Sequence, residues 1–293
     1  MAPKASPHLI GIFWMLLTGA FFVGVTVVVK HLGSDLPAAE SAFLRYAIGL
    51  IFIVPLLPAM LKHRPDRTAL SLFGLRGLVH SLGVILWFYS MSRIPLAEVT
   101  AMNYLAPVYV MIGAALFLGD KLSLRRMMAV GIALIGTLII LRPGFREVSE
   151  GHIAMLGTGF LLGSSYLIAK KLTDQVSAGV LVGWLSITVT IGLAPFAWAV
   201  WVAPTGRELL WISLVALFAT SGHYTMGMAF RAAPISVTQP VTFLQIVWAT
   251  VIGTLVFGEA ADGFVIFGSA LIVAAVSYTS WREAVARRAV AAP

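Results

Sequence analysis

The chain contains no cysteine, and only 11% of its 293 residues carry a charge. Without cysteine, disulfides, iron–sulfur clusters and thiolate catalysis are excluded. An ordinary soluble domain carries about 25% charged residues, and a chain with so few would leave much apolar surface exposed to water. The mean hydropathy of +0.95 and the 59% of hydrophobic residues are instead typical of a chain folded in a lipid bilayer.

The sequence also lacks the short motifs that bring chemistry to a membrane protein. It has no His-Glu-x-x-His zinc motif and no Gly-x-x-x-x-Gly-Lys phosphate loop. Its acidic residues lie near the ends of the apolar runs and not deep within them, which argues against a buried carboxylate relay for protons. We therefore expect no enzyme activity, no catalytic residue, no metal site and no cofactor, and transport driven by gradients or by exchange.

Ten apolar runs predict an all-α membrane protein, because about 20 residues of helix cross the hydrocarbon core. Long continuous runs exclude a barrel, whose strands alternate in polarity. The predicted spans are 9–29, 38–61, 70–92, 96–118, 124–141, 151–170, 178–203, 208–230, 235–257 and 263–281.

The net charge of +8 resides mostly in the short gaps between these spans. This pattern indicates membrane topology and not a nucleic-acid partner. With the N-terminus inside, 13 Lys and Arg residues fall on the inner side and 5 on the outer side. The bias predicts a multi-pass protein of a bacterial-type inner membrane with both termini in the cytoplasm.

The two halves of the chain repeat one another, which predicts one five-helix unit at 1–145 and a second at 146–293. Because five is odd, the second unit must enter the membrane upside down, as in many secondary transporters. A duplication kept only for packing is the alternative. At offsets of 140 and 139 the matched residues include Gly11, Thr18, Lys30, Pro95, Gly119 and Asp120 with Gly151, Thr158, Lys170, Pro234, Gly258 and Glu259.

This arrangement, with a short Gly-acid turn after the fourth helix of each half, resembles the EamA branch of the drug/metabolite transporter superfamily. The segment Ala39-Glu40-Ser41-Ala42-Phe43-Leu44-Arg45-Tyr46 is similar to the second-helix motif of that family. It is not duplicated, since Leu185 stands where the repeat would place a second Arg. The resemblance covers nearly the whole chain and implies export of small metabolites, most closely that of YddG-like amino-acid exporters.

Polar residues inside a membrane are costly and are candidates for function. Arg45, in the outer half of the second span, would either meet a substrate carboxylate or pair with Glu40 for structure. His80 and His223 lie in corresponding helices, and each would either line a cavity, where its charge could respond to pH, or hydrogen-bond a backbone carbonyl. Trp87 lies seven residues after His80 and would continue the same face or simply pack.

Spans four and nine carry a polar stripe on equivalent faces. Thr100, Asn103 and Pro107 share one helix face by their spacing. Pro107 has no N–H to donate to the carbonyl of Asn103, so an acceptor is left free at membrane depth. The alternative role of such a stripe is hydrogen bonding between helices. The counterparts at offset 139 are Gln239, Thr242 and Ile246, and Tyr104 and Gln245 are nearby candidates.

Together these residues predict a substrate site between the two halves and a secondary transporter that works by alternating access, with amino acids, including aromatic or amphipathic ones, as the foremost substrates. The alternatives are a passive channel or facilitator, a carrier of sugars, nucleotide sugars or cationic drugs, and a membrane-embedded enzyme or scaffold. The expected partners are a small-molecule substrate and the lipid bilayer. Substrate identity, transport direction, proton coupling, the resting conformation and the choice between monomer and homodimer stay open.

Overall fold

A computed structural model describes residues 7–33, 35–62, 65–117, 124–142, 145, 147–172, 176, 178–232, 241 and 244–291. These residues form helices and connecting turns and contain no strand. The α-helices are α1 Pro7–Leu32, α2 Ala38–Gly49, α3 Leu57–Lys62, α4 Arg67–Met91, α5 Leu96–Asn103, α6 Ala106–Phe117, α7 Leu124–Leu141, α8 Glu150–Leu172, α9 Ala178–Ala199, α10 Gly206–Ala232, α11 Leu244–Phe257 and α12 Gly263–Ala291.

Within this part of the chain, six helical stretches are long and apolar enough to cross a membrane. They are Leu9–Leu32, Ala38–Pro55, Arg67–Met91, Glu150–Ala169, Gly179–Ala199 and Gly206–Met226. Shorter apolar helices occupy Met127–Leu141, Leu244–Phe257 and Gly263–Ala275. The all-helical prediction is therefore confirmed for a multi-pass protein, and the first part of the ninth predicted span, residues 235–240, lies outside the described residues.

Two predicted spans are not single α-helices. In the second, α2 passes into a 3₁₀ helix at Leu50–Leu56, which contains Pro55, before α3 begins. In the fourth, α5 ends at Asn103 and α6 begins at Ala106. Proline explains both interruptions, because it cannot donate the backbone hydrogen bond that would continue the helix.

The main helix pairings join the first half of the chain to the second. Helix α1 packs along α10, α4 along α8 and α9, α2 along α9, and α7 along α12. The sequence repeat aligns α1 with α8 and α4 with α10, so exchanging the halves converts the α1–α10 pairing into the α8–α4 pairing. The same exchange leaves the α2–α9 and α7–α12 pairings as they are.

Helices α7 and α12 approach each other most closely at Gly136 and Gly268. A Cβ added to Gly136 would lie 2.7 Å from the backbone oxygen of Gly268. Small residues allow this approach between membrane helices. Gly131, on the same helix as Gly136, faces open space instead.

Ion pairs connect the halves at one end of the bundle. We call this end the distal face: α1 and α4 end there, and α5 and α8 begin there. The Lys30 ammonium nitrogen lies 3.0 Å from Glu259 Oε1, and Glu259 Oε2 accepts a hydrogen bond from the backbone N–H of Leu96. Arg142 pairs with Asp262 at the same end.

Candidate functional site

A cavity of about 380 Å³ lies in the middle of the bundle, between the halves. Helices α1, α2, α4, α5, α8, α10 and α11 all contribute to its walls. Eight of the ten residues singled out in the sequence line it: Arg45, His80, Trp87, Thr100, Asn103, Tyr104, His223 and Gln245. The other two, Gln239 and Thr242, lie outside the described residues.

Arg45 presents its guanidinium group to this central cavity and has no carboxylate partner among the described residues. Its Cζ lies 4.0 Å from the centre of the Tyr46 ring, a cation–π contact that orients the charge without neutralising it. The Glu40 carboxylate instead accepts a hydrogen bond of 3.0 Å from the backbone N–H of Val202. The alternative in which Glu40 pairs with Arg45 is therefore wrong, and α2 has turned the two side chains apart.

His80 connects the cavity wall to the other half of the protein. Its Nε2 lies 2.9 Å from the Tyr46 hydroxyl, and its Nδ1 lies 3.1 Å from Ser165 Oγ. Only 7% of the residue is exposed, so both ring nitrogens are held in place. The carbonyl contact considered for His80 is replaced by these two side-chain contacts. The resulting chain from Tyr46 through His80 to Ser165 fixes the ring on which Arg45 rests.

Three other lining residues offer polar atoms that no described group satisfies. The side chains of Asn103 at the end of α5, His223 on α10 and Gln245 on α11 have no hydrogen-bond partner among the described residues and face the cavity. The His223 ring also packs edge-on against Phe22, with ring centres 5.1 Å apart. His223 is exposed and Asn103 and Gln245 are partly exposed, so their polar atoms are accessible to a polar ligand in the cavity.

Thr100 differs from Asn103, although both lie on the stripe predicted from sequence. The Thr100 hydroxyl donates to the carbonyl oxygen of Leu96 at 2.8 Å, so its one proton is already used within α5. The backbone N–H groups of Tyr104 and Leu105 donate hydrogen bonds to the carbonyl oxygens of Ala101 and Met102, three residues back. This turn separates α5 from α6 just before Pro107 and divides the span predicted at 96–118.

The remaining walls are mainly aromatic and aliphatic. Trp87 packs edge-on against Phe88 with ring centres 5.3 Å apart, and both residues line the cavity. Tyr166, on α8, also lines the cavity. The described lining residues include one side chain of fixed positive charge, Arg45, and no acidic residue. The site is thus apolar on most sides, with a positive charge and a few polar groups on the others.

Sequence reasoning missed several lining residues, among them Phe22, Thr26, Leu162 and Tyr166. The repeat contained the signal for them. Phe22 and Leu162, and likewise Thr26 and Tyr166, are separated by the same offset of 140 that relates the first helices of the two halves.

A metal site has no support in this region, since no three His, Asp or Glu residues of the described chain come together as ligands.

The model of the EamA-like transporter family matches this chain twice, over residues 9–142 and 149–281. The chain belongs to the EamA-like transporter family. The resemblance to the EamA branch of the drug/metabolite transporter superfamily is therefore confirmed, and the closer likeness to YddG-like amino-acid exporters stays a prediction. An EamA-like protein of this kind is a small-molecule transporter of the drug/metabolite type.

Curated relatives of this EamA-like transporter differ in what they carry. A riboflavin transporter of Rhizobium johnstonii is 30% identical over 94% of this chain and 92% of its own length. A pseudopaline exporter of Pseudomonas aeruginosa is 27% identical over 90% and 94%. An S-adenosylmethionine uptake transporter of Rickettsia prowazekii is 23% identical over 94% of both chains.

A solved crystal structure shares the fold. It covers 94% of this chain and 98% of its own, with a TM-score of 0.59 and 18% sequence identity. At that identity the likeness concerns the arrangement of helices and not the substrate.

Proposed function

We propose that this transporter exports small amphipathic metabolites that carry an anionic group, with amino acids, aromatic ones in particular, as the foremost candidates. The observation that carries the proposal is the Arg45 guanidinium group, which faces the central cavity without a carboxylate partner among the described residues. A substrate carboxylate would supply the missing charge in a cavity whose walls are mostly apolar. The aromatic walls at Trp87 and Tyr166 would hold an apolar body.

Export by alternating access is the mechanism that we propose for this site. Ten crossings, arranged as two inverted five-helix units at 1–145 and 146–293, would place the cavity near the midplane, as in other transporters with inverted repeats. The set of helix pairings stays the same when the two halves are exchanged, which supports this arrangement. Rocking of one half against the other would then expose the cavity to each side in turn.

Transport of riboflavin is a second candidate, supported by the riboflavin transporter of Rhizobium johnstonii at 30% identity. A flat aromatic ring system also suits the aromatic walls. Riboflavin carries no carboxylate, however, so Arg45 would serve it only as a hydrogen-bond donor. The two candidates therefore differ in how strongly they depend on the charge of Arg45.

Transport into proteoliposomes tests the function directly. The panel would contain aromatic and aliphatic amino acids, riboflavin, sugars, nucleotide sugars and a cationic drug, each with and without a pH gradient. We expect saturable transport of a carboxylate-bearing compound, accelerated when unlabelled compound is present on the opposite side. Transport without saturation or counterflow would indicate a channel, and transport of only cations or sugars would refute the proposed substrate class.

The arrangement of the halves needs a separate test, and the absence of cysteine makes it simple. Single cysteines introduced as Ser6→Cys and Val290→Cys would be the only thiols in the chain. An impermeant thiol reagent should label both from the cytoplasmic side. Labelling from opposite sides would refute the even number of crossings and the inverted repeat together.

A further inference from the structure

A second, smaller cavity of about 230 Å³ lies at the distal face, beside the turn between α1 and α2. We call it the distal vestibule. Its walls come from α1, α2 and the end of α4, and its polar members are Ser41, Tyr89, Ser92 and Arg93. This cavity is distinct from the central cavity that contains Arg45.

The distal vestibule and the central cavity follow one another along the same three helices. Val29, Ser41 and Phe88 line the vestibule. The residues four positions deeper on α1, α2 and α4, which are Val25, Arg45 and Val84, line the central cavity. Four residues correspond to about one helical turn, or roughly 5 to 6 Å. The two cavities are therefore stacked end to end.

Phe88 is the residue that separates them. Its side chain belongs to the walls of both cavities, and only 5% of the residue is exposed. It is held by Trp87, whose ring meets it edge-on. A movement of this one ring would join the two spaces, because the residues around it already face one cavity or the other.

The same pairing of arginine with tyrosine occurs in both cavities. In the central cavity Arg45 lies over Tyr46, and in the vestibule the Arg93 guanidinium carbon lies 3.5 Å from the centre of the Tyr89 ring. Arg93 also donates to the Tyr89 carbonyl and to Ser92 Oγ, at 3.2 and 2.9 Å. These contacts orient the guanidinium group and leave it without an ion-pair partner among the described residues.

The carboxylates near the vestibule are either bound to another side chain or exposed to solvent. Glu150 accepts a hydrogen bond of 2.5 Å from the Tyr89 hydroxyl, and no carboxylate of the described residues forms an ion pair with Arg93. Asp35 is exposed beside the α1–α2 turn. Lys30, next to the lining residue Val29, is already paired with Glu259. Arg93 is thus the cation available to a ligand in this space.

We propose that the distal vestibule is a second binding station for the anionic group of the transported metabolite, with Arg93 as its cation and Phe88 as the partition from the central cavity. The proposal rests on the proposed export function. It describes a route in which the anion passes from Arg45 to Arg93 when the Phe88 ring moves. A volume of this size suits a small metabolite and not a large one.

The charge of the vestibule can be measured without knowing the substrate. Ala38→Cys places the only thiol of the chain in the vestibule wall. Its reaction rate from the distal side is measured with an anionic methanethiosulfonate, which carries a sulfonate, and with a cationic one, which carries trimethylammonium. Arg93→Gln should slow the anionic reagent about five-fold and speed the cationic one by a similar factor, the effect of one charge about 4 Å away in water, so the ratio of the two rates should fall roughly 25-fold. Arg207→Gln, which removes an exposed arginine outside the vestibule, is the control.

The partition is tested with Thr26→Cys, which lies in the central cavity. Phe88→Leu keeps an apolar side chain but removes the ring, and it should raise the rate at which the anionic reagent reaches this thiol from the distal side. Ratios unchanged by Arg93→Gln, or a rate unchanged by Phe88→Leu, would overturn the proposal. Either result would leave transport through the central cavity intact, because uptake is a separate measurement.

Discussion

Lys30 and Glu259 form an ion pair across the two halves of the protein, with Nζ and Oε1 3.0 Å apart. Lys30 also donates to the carbonyl of Ile94 at 2.7 Å, and Glu259 accepts from the backbone of Leu96. The pair therefore connects three segments: the end of α1, the turn before α12, and the turn between α4 and α5. Its side chains are only 16% and 14% exposed, so solvent screens the attraction weakly.

Removing this pair should favour opening of the distal face. Lys30→Met leaves Glu259 with its backbone partner but without a counter-charge, at a cost of about 2 kcal/mol. If the closed state alone contains the pair, the opening equilibrium shifts by roughly 30-fold. Thiol labelling at Thr26→Cys from the distal side should rise accordingly. Lys171→Met, at an exposed lysine far along α8, should leave the rate unchanged, and an equal rise there would contradict the account.

Tyr46→Phe should weaken transport more than it weakens the fold. The ring that supports Arg45 stays, but His80 loses its partner at Nε2. The loss of one such hydrogen bond lowers stability by about 1 kcal/mol, whereas a misplaced Arg45 changes substrate binding itself. We expect KM to rise about ten-fold with little change in melting temperature. A fall in melting temperature with KM unchanged would give the Tyr46–His80 contact a purely structural role.

Asn103 and Thr100 lie on one stripe and should respond differently to truncation. The Asn103 amide is unsatisfied and faces the cavity, so Asn103→Ala should impair transport without preventing membrane insertion. The Thr100 hydroxyl already donates to Leu96, so Thr100→Val should have a much smaller effect. Both rates are measured per inserted protein. Wild-type transport by Asn103→Ala would remove that residue from the site.

Gly136 and Gly131 provide a matched pair for the contact between α7 and α12. Gly136→Ala would place a methyl group 2.7 Å from the backbone oxygen of Gly268, and such overpacking costs about 1–3 kcal/mol. Gly131→Ala on the same helix meets open space and should gain up to about 1 kcal/mol from helix propensity. In thermal unfolding in detergent, Gly136→Ala should therefore lower the melting temperature and Gly131→Ala should raise it. Equal melting temperatures would show that the helices do not meet at Gly136.

Much of the fold was predictable because the bilayer imposes one simple rule, a long apolar run for each crossing. The same rule limits what such runs reveal. Apolar side chains face both lipid and neighbouring helices, so the pattern does not tell which side of a helix is buried. Arg45 and Glu40, five residues apart on α2, were considered as a pair, although five residues of helix turn two side chains well apart, and Glu40 meets the backbone of Val202 instead.

The central cavity was predictable where a polar residue interrupts an apolar run, as at His80, Asn103 and Gln245. At Phe22 and Tyr166 the residue type gives no signal, because an aromatic residue is common in any packed helix, and only the repeat relates these positions to one another. From Pro107 the sequence predicted only a free carbonyl at Asn103, and both the break between α5 and α6 and the passage of α2 into a 3₁₀ helix before Pro55 were missed. The contacts of His80 depend on Ser165, 85 positions away, and no local pattern contains that information.

The charge of Arg45 gives the most direct test of the proposed transport site. Arg45→Gln keeps a polar side chain of similar reach and removes the charge, while Arg207→Gln removes an exposed arginine elsewhere. The measurement is the initial rate of uptake of a carboxylate-bearing substrate of the wild-type protein, in proteoliposomes that contain equal amounts of each variant. We expect Arg45→Gln to lose at least about ten-fold in kcat/KM, about 1.4 kcal/mol, with Arg207→Gln near wild type. Wild-type transport of the same anion by Arg45→Gln would contradict the account.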